Sequence, residues 1–106
     1  MRVRWNELAK EQLRHTAQYI RKKFGQIARD DFMSKIQQAD KLLGRNPYMG
    51  IKEPLLLNLP TEHRSIVATK HNKIIYKIIE NHIEVIAFWD VRREPKGLVE
   101  GLEETE

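Results

Sequence analysis

The residues best suited to chemistry in this chain are its paired cations. The stretch AFWDVRREP, residues 87–95, runs from an apolar segment into Arg92 and Arg93 and then a proline. Guanidinium groups donate two parallel hydrogen bonds, which suits a phosphate or a carboxylate. Four further cations, Arg64, Lys70, Lys73 and Lys77, stand in the stretch just before it. Such a set stabilises the charge of a phosphoryl transition state, but moving protons needs a separate acid and base. The plainer reading of Arg92 and Arg93 is a surface pairing with Asp90 and Glu94, worth about 0–1 kcal/mol.

Other chemistries find less support. His15, His63, His71 and His82 form no i, i+4 ligand pair and have no cysteine beside them, so the sequence predicts no metal and no cofactor. The glycines are isolated, with no phosphate-cradling loop, and Ser34 and Ser65 lack a nucleophile-elbow context. Tyr76 and Trp89, flanked by isoleucine and phenylalanine, read as core or core-edge aromatics before stacking platforms.

Periodicity supplies the scaffold for these residues. Residues 2–5, RVRW, predict a short strand, and Asn6 is a natural N-cap for the helix that follows. Leu13, Ala17, Ile20 and Phe24 recur as one helical stripe that Gly25 ends. Ala28, Phe32, Ile36, Ala39 and Leu43 repeat the pattern in a second helix over 26–43, closed by Gly44, Asn46 and Pro47. So short a connection implies an antiparallel helical hairpin. The next segment, RNPYMGIKEPLLLNLPTE, contains three prolines and predicts an irregular crossover without regular structure.

From His63 the period changes to two, in HRSIVATK, KIIYKIIE and HIEVIAFWD, three strands separated by tight polar turns. The expected fold is α+β in the order β-α-α-β-β-β, a helical hairpin packed on one face of a small, mainly antiparallel curved sheet. The other face stays partly open. There, or at the strand ends, Arg64, Lys70, Lys73, Lys77, Arg92 and Arg93 are expected to face outward.

Composition bounds the function. Hydrophobic residues make up 41% and charged residues 32% of the 106, which fits one globular domain over 1–96. The absence of a membrane-length apolar run, a secretory signal and cysteine predicts a soluble, cytoplasmic protein with no membrane partner. Formal net charge is +4, yet Glu100, Glu103, Glu104 and Glu106 crowd into an acidic tail, 97–106, that is expected to be flexible. Setting those four aside leaves 19 Lys and Arg against 11 acids, or +8, a balance that draws nucleic acid or an acidic protein surface.

The helical hairpin, the NPYMG connection, the strand motif containing Tyr76 and the closing RREP together resemble the RelE/ParE superfamily, the toxin halves of bacterial type II toxin–antitoxin modules. The resemblance covers about residues 2–95 and implies one of two activities, DNA gyrase poisoning as in ParE-like members or ribosome-dependent mRNA cleavage as in RelE-like mRNA interferases. Such modules are also known for plasmid stabilization. Laid along the RelE pattern, Arg64, Lys73 and Arg93 fall on basic positions that would bind phosphate in a metal-independent nuclease. Lys70, Lys77 and Arg92 would add target or nucleic-acid contacts. Ile66 and Val99 depart from the pattern, at a strand lysine and a C-terminal tyrosine, and Asp90 stands near the place where some relatives carry a histidine. The expected reading is a gyrase-directed toxin, with a ribosome-dependent endoribonuclease or a degenerate, antitoxin-binding protein as the alternatives. All three imply a cognate antitoxin from an adjacent gene, oligomeric complexes with it, and exposed apolar positions such as Leu8, Tyr19, Ile27, Tyr48 and Met49 to receive it.

Overall fold

A computed structural model of the chain describes residues 1–93 and Leu98. Strand β1 (Arg2–Trp5) leads into helices α1 (Glu7–Phe24) and α2 (Gln26–Arg45). Then follow β2 (Ile51–Lys52), a 3-10 turn at Pro54–Leu56, β3 (Arg64–Thr69), β4 (Asn72–Ile79) and β5 (His82–Asp90). The sheet order is β1-β5-β4-β3-β2, antiparallel except where β1 runs parallel to β5. The expected α+β hairpin-on-sheet architecture is therefore present. Among the described residues no helix is long and apolar enough to cross a membrane.

The crossover is the one correction to the expected elements. Ile51 and Lys52 pair with Ser65 and Arg64, which makes β2 the outermost strand. Two residues carry no readable period, so only the partner strand reveals it. Pro54 starts the 3-10 turn, where Glu53 accepts from the Leu55 amide at 3.3 Å.

Local signals work as their chemistry requires. The Asn6 side chain accepts from the Ala9 amide at 2.8 Å and caps α1. Gly25, at φ 98°, closes α1 and opens α2, a conformation that side chains with a Cβ rarely adopt. The main core lies between the helices and one sheet face and holds Ala9, Ala17, Phe32, Ile36, Leu43, Ile74, Tyr76, Ile83, Val85 and Phe88. Phe24 departs from its expected stripe and is 65% exposed at the hairpin turn. Trp5 Nε1 donates to both Asp40 carboxylate oxygens, at 2.9 and 3.2 Å, tying β1 to α2, while burial pushes the Asp40 carboxyl above its ordinary value.

Strand β5 serves both faces by means of a bulge. The ladder pairs Ile75 with Ala87 but Tyr76 with Val85, leaving Ile86 as the extra residue. Val85 and Phe88 can then both meet the helices, although three residues apart. Ile86, Ala87 and Trp89 turn to the opposite face, where Leu56, Ile75 and Leu98 complete a second, smaller core. That face is consequently less open than expected. The rest of the acidic tail lies outside the described residues.

Candidate functional site

The six cations divide between the two sides of the sheet. Directly paired residues project to the same face, and Arg64 pairs with Tyr76, a member of the helix-side core. Lys73 pairs with Trp89, which belongs to the opposite core, and with the 80% exposed Val67 on its other flank. Arg93 joins Lys73 there, its guanidinium 4.9 Å from the centre of the Trp89 ring. Lys77 stands opposite Glu84 further along the same ladder. Lys70 and Arg92 line a cleft on the helix side. Lys73 and Arg93 thus both neighbour Trp89, whereas Arg64 lies on the other side of the sheet.

Arg64 is held by a network around the NPYMG connection. Its Nη1 donates to the Gly50 carbonyl at 2.7 Å and its Nη2 pairs with Glu62 at 2.9 Å. The guanidinium also lies 5.2 Å from the centre of the Tyr48 ring. Beside it the Tyr76 hydroxyl donates to the Pro47 carbonyl at 2.7 Å and accepts from the Gly50 amide at 3.0 Å. Burial raises the Tyr76 hydroxyl pKa, so it stays a protonated donor at neutral pH. Tyr76 is fully buried, as expected of a core aromatic, and its hydroxyl clamps the loop.

Lys73 is committed in a different way. Its ammonium pairs with a Glu53 carboxylate that is wholly shielded from solvent, while the Lys73 side chain is 16% exposed. Glu53 was not singled out in the sequence, because a lone glutamate between Lys52 and Pro54 carries no local mark of a partner twenty residues away. The second Glu53 oxygen and Trp89 Nε1 are buried without a hydrogen-bond partner among the described residues.

The cleft on the helix side holds about 740 Å³ between the end of α1, the start of α2, the β3–β4 turn and the end of β5. Lys23, Lys35, Lys70 and Arg92 line it against two carboxylates, Asp31 and Asp90, and His15 and His71 lie among them. Lys23 Nζ sits 5.5 and 5.7 Å from the Tyr19 and Phe24 ring centres. Arg92 grips Asp90 through Nε at 2.9 Å and Nη2 at 2.7 Å, the pairing expected from the sequence. Those hydrogen bonds hold the Asp90 carboxyl down at about 2. Expected partner Glu94 lies outside the described residues. Tyr19 and Phe24 are 54% and 65% exposed at the rim, and Ile27, next in sequence to the lining Ala28, is 88% exposed. A cationic cleft edged by bare aromatic and aliphatic side chains suits an amphipathic, acidic polypeptide.

Residues 3–95 match the family described as ParE toxin of type II toxin-antitoxin system, parDE. The chain belongs to the ParE toxin family. No curated protein gives a significant sequence match. Among solved structures, the chromosomal ParDE system of P. aeruginosa superposes with a TM-score of 0.71 at 15% identity, over 86% of this chain and 96% of that one. A YoeB/ParE toxin from Agrobacterium tumefaciens gives 0.57 at 17% identity, over 85% and 98%. The YoeB dimer from Staphylococcus aureus gives 0.56 at 20%, over 83% and 93%. These neighbours share the fold of this ParE-family chain.

Proposed function

We propose that this ParE-family toxin arrests growth by gripping a macromolecular target in a gyrase-directed manner, and that its antitoxin occupies the helix-side cleft. The observation that carries this reading is the separation of the cations. A phosphate site built from Arg64, Lys73 and Arg93 needs all three on one side of the sheet, and Arg64 sits on the other side from Lys73 and Arg93. Arg64 and Lys73 are also engaged by Glu62 and by buried Glu53. Their work is to hold the fold. Arg93 leads the target-contacting set, with Lys77 on its side of the sheet and Lys70 and the Asp90-bound Arg92 at the cleft.

The assignment of the cleft to the antitoxin rests on its chemistry. Four cations and an apolar rim match the acidic, amphipathic segment that an antitoxin must supply to mask a basic toxin. The ParDE neighbour is itself a toxin–antitoxin system.

The test is expression of the toxin followed by a gyrase cleavage-complex assay and RNA 5′-end mapping in the same cells. Trapped double-strand breaks without new RNA ends are expected, reduced by Arg93→Ala. Codon-phased cuts in translated mRNA that vanish with Arg93→Ala would instead establish the ribosome-dependent nuclease. Neither effect, with antitoxin binding intact, would identify a binding-only protein.

A further inference from the structure

Between β2 and β3 the chain makes a loop, residues 54–62, that folds over the sheet face away from the helices. Its ends are tied, the Glu53 amide donating to the His63 carbonyl at 2.8 Å, and Glu53 itself is latched to Lys73. Compact loops of this length with joined ends behave as units of their own. The loop covers the second core with Leu56, which is 2% exposed, and with half-buried Leu55 and Leu59. Its backbone hydrogen bonds stay local: the Leu55 and Leu56 amides donate to Glu53 at 3.3 and 3.1 Å, and the Leu59 amide to the Leu56 carbonyl at 3.2 Å. Among the described residues no hydrogen bond joins Pro54–Thr61 to β3, β4 or β5. Packing is loose as well, since residues 56–57 and 59–63 curl with Lys52 around a pocket of about 200 Å³. Leucine side chains alone therefore hold this segment on the sheet, which places it at the low-stability end of the fold. The core they cover carries a defect: Trp89 is 3% exposed and its Nε1 has no hydrogen-bond partner among the described residues. A buried unpaired donor is costly while the loop is down, and finds an oxygen when the loop lifts.

We propose that residues 54–62 form a lid whose lifting, about the Glu53–His63 tie, uncovers a docking surface for an acidic, apolar segment of the protein target. The proposal rests on the target-gripping reading and specifies how that grip is gated. Ile75, Ile86 and Ala87 make the floor with the Trp89 indole, so an aliphatic side chain of the partner takes the place of Leu56. An oxygen beside that side chain accepts from Trp89 Nε1. Arg93, whose guanidinium lies 4.9 Å from the centre of the Trp89 ring, selects a carboxylate next to it. The aliphatic floor favours a protein over a nucleic acid, which needs stacking surfaces. The Glu53–Lys73 latch stays closed and keeps the hinge in register. Because only the lifted form binds, apparent affinity falls in proportion to the fraction of molecules with the lid open.

The test follows hydrogen exchange by NMR in the isotope-labelled full chain, with the Trp89 indole signal assigned by its loss in Trp89→Phe. In the free toxin the indole and the Leu55, Leu56 and Leu59 amides are expected to exchange together, many-fold faster than the Ile74 and Ile83 amides of the main core. Leu59→Ser, at a half-buried position, is expected to speed the indole and the Leu56 amide several-fold while Ile74 and Ile83 are unchanged. It is also expected to lower, by a similar factor, the toxin concentration that half-saturates trapping of gyrase cleavage complexes. Trp89→Phe, which removes the unpaired donor, is expected to slow the Leu56 and Leu59 amides and to raise that concentration. A lid and indole that exchange no faster than Ile74 overturn the lid. Faster exchange in Leu59→Ser with an unchanged half-saturating concentration overturns the docking surface and leaves the gyrase reading standing. Protection of the indole by an added single-stranded oligonucleotide overturns the protein occupant. A wild-type toxin that traps no gyrase complexes overturns the gyrase reading and the docking role with it, while exchange in the free toxin still decides whether the lid lifts.

Discussion

Lys73 shows how a candidate functional cation can be a structural one. A charge pair whose carboxylate is fully buried is poor evidence of net stabilisation, but removing one partner strands the other in a low-dielectric site. Lys73→Met is therefore expected to cost about 3–5 kcal/mol, measured by urea unfolding, and Lys73→Met with Glu53→Leu to recover most of it. If the single substitution unfolds at wild-type urea concentrations, the pair is not what holds Glu53 in place. A loss of toxicity in Lys73→Ala alone would accordingly say little about the target. Asp90 gives a second test at this scale. Its folded pKa of about 2 lies below the ordinary 3.8, because Arg92 bonds the ionised form. A depressed carboxyl contributes stability that is present above the unfolded value and disappears as pH falls through the folded one. Asp90→Asn is expected to lower Tm modestly at pH 5 and to converge with wild type between pH 4 and pH 2; a gap that persists at pH 2 would point to packing and not charge.

The elements were legible wherever their signal was local. The helical stripes, the Asn6 cap, the Gly25 break and the three meander strands all follow from period and turn chemistry, and each lies close to where the sequence places it. What escaped is pairing. The two-residue β2, the Glu53–Lys73 bond and the helix-side placement of Arg64 depend on a neighbour distant in sequence, and a bulge in β5 shifts the alternation that would otherwise sort its residues by face. The NPYMG connection shows the same dependence. A Cβ on Gly50 would stand 2.6 Å from the Tyr76 hydroxyl and 2.8 Å from the Ser65 carbonyl, closer than real contacts allow. Tyr76 cannot retreat, being fully buried and bonded to Pro47 and Gly50. Gly50→Ala is expected to destabilise by about 1–3 kcal/mol in chemical denaturation and to raise hydrogen exchange in residues 46–50. Wild-type stability would mean that the clamp yields and that Tyr76 does not fix the loop.

At the scale of the molecule, the distribution of charge governs what this toxin meets before any specific contact forms. The body is more basic than the whole chain, because Glu100, Glu103, Glu104 and Glu106 offset half of its excess of +8. We propose that the acidic end screens the basic body in cis. Removing everything after Lys96 would test this badly, since Leu98 is 3% exposed within the second core beside Trp89. Loss of a buried leucine costs about 2–5 kcal/mol by itself. Replacing the four glutamates by glutamine leaves Leu98 in place and changes only charge. This variant is expected to elute from heparin at higher salt than wild type, and to show a steeper fall of affinity with salt, because each newly available cation adds a released counterion. Arg93→Ala in the same background should reverse part of the steepening, since Arg93 lies over Trp89 in the core that holds Leu98. A uniform shift in affinity with an unchanged salt slope would mean that the glutamates act only through net charge and do not cover the cations.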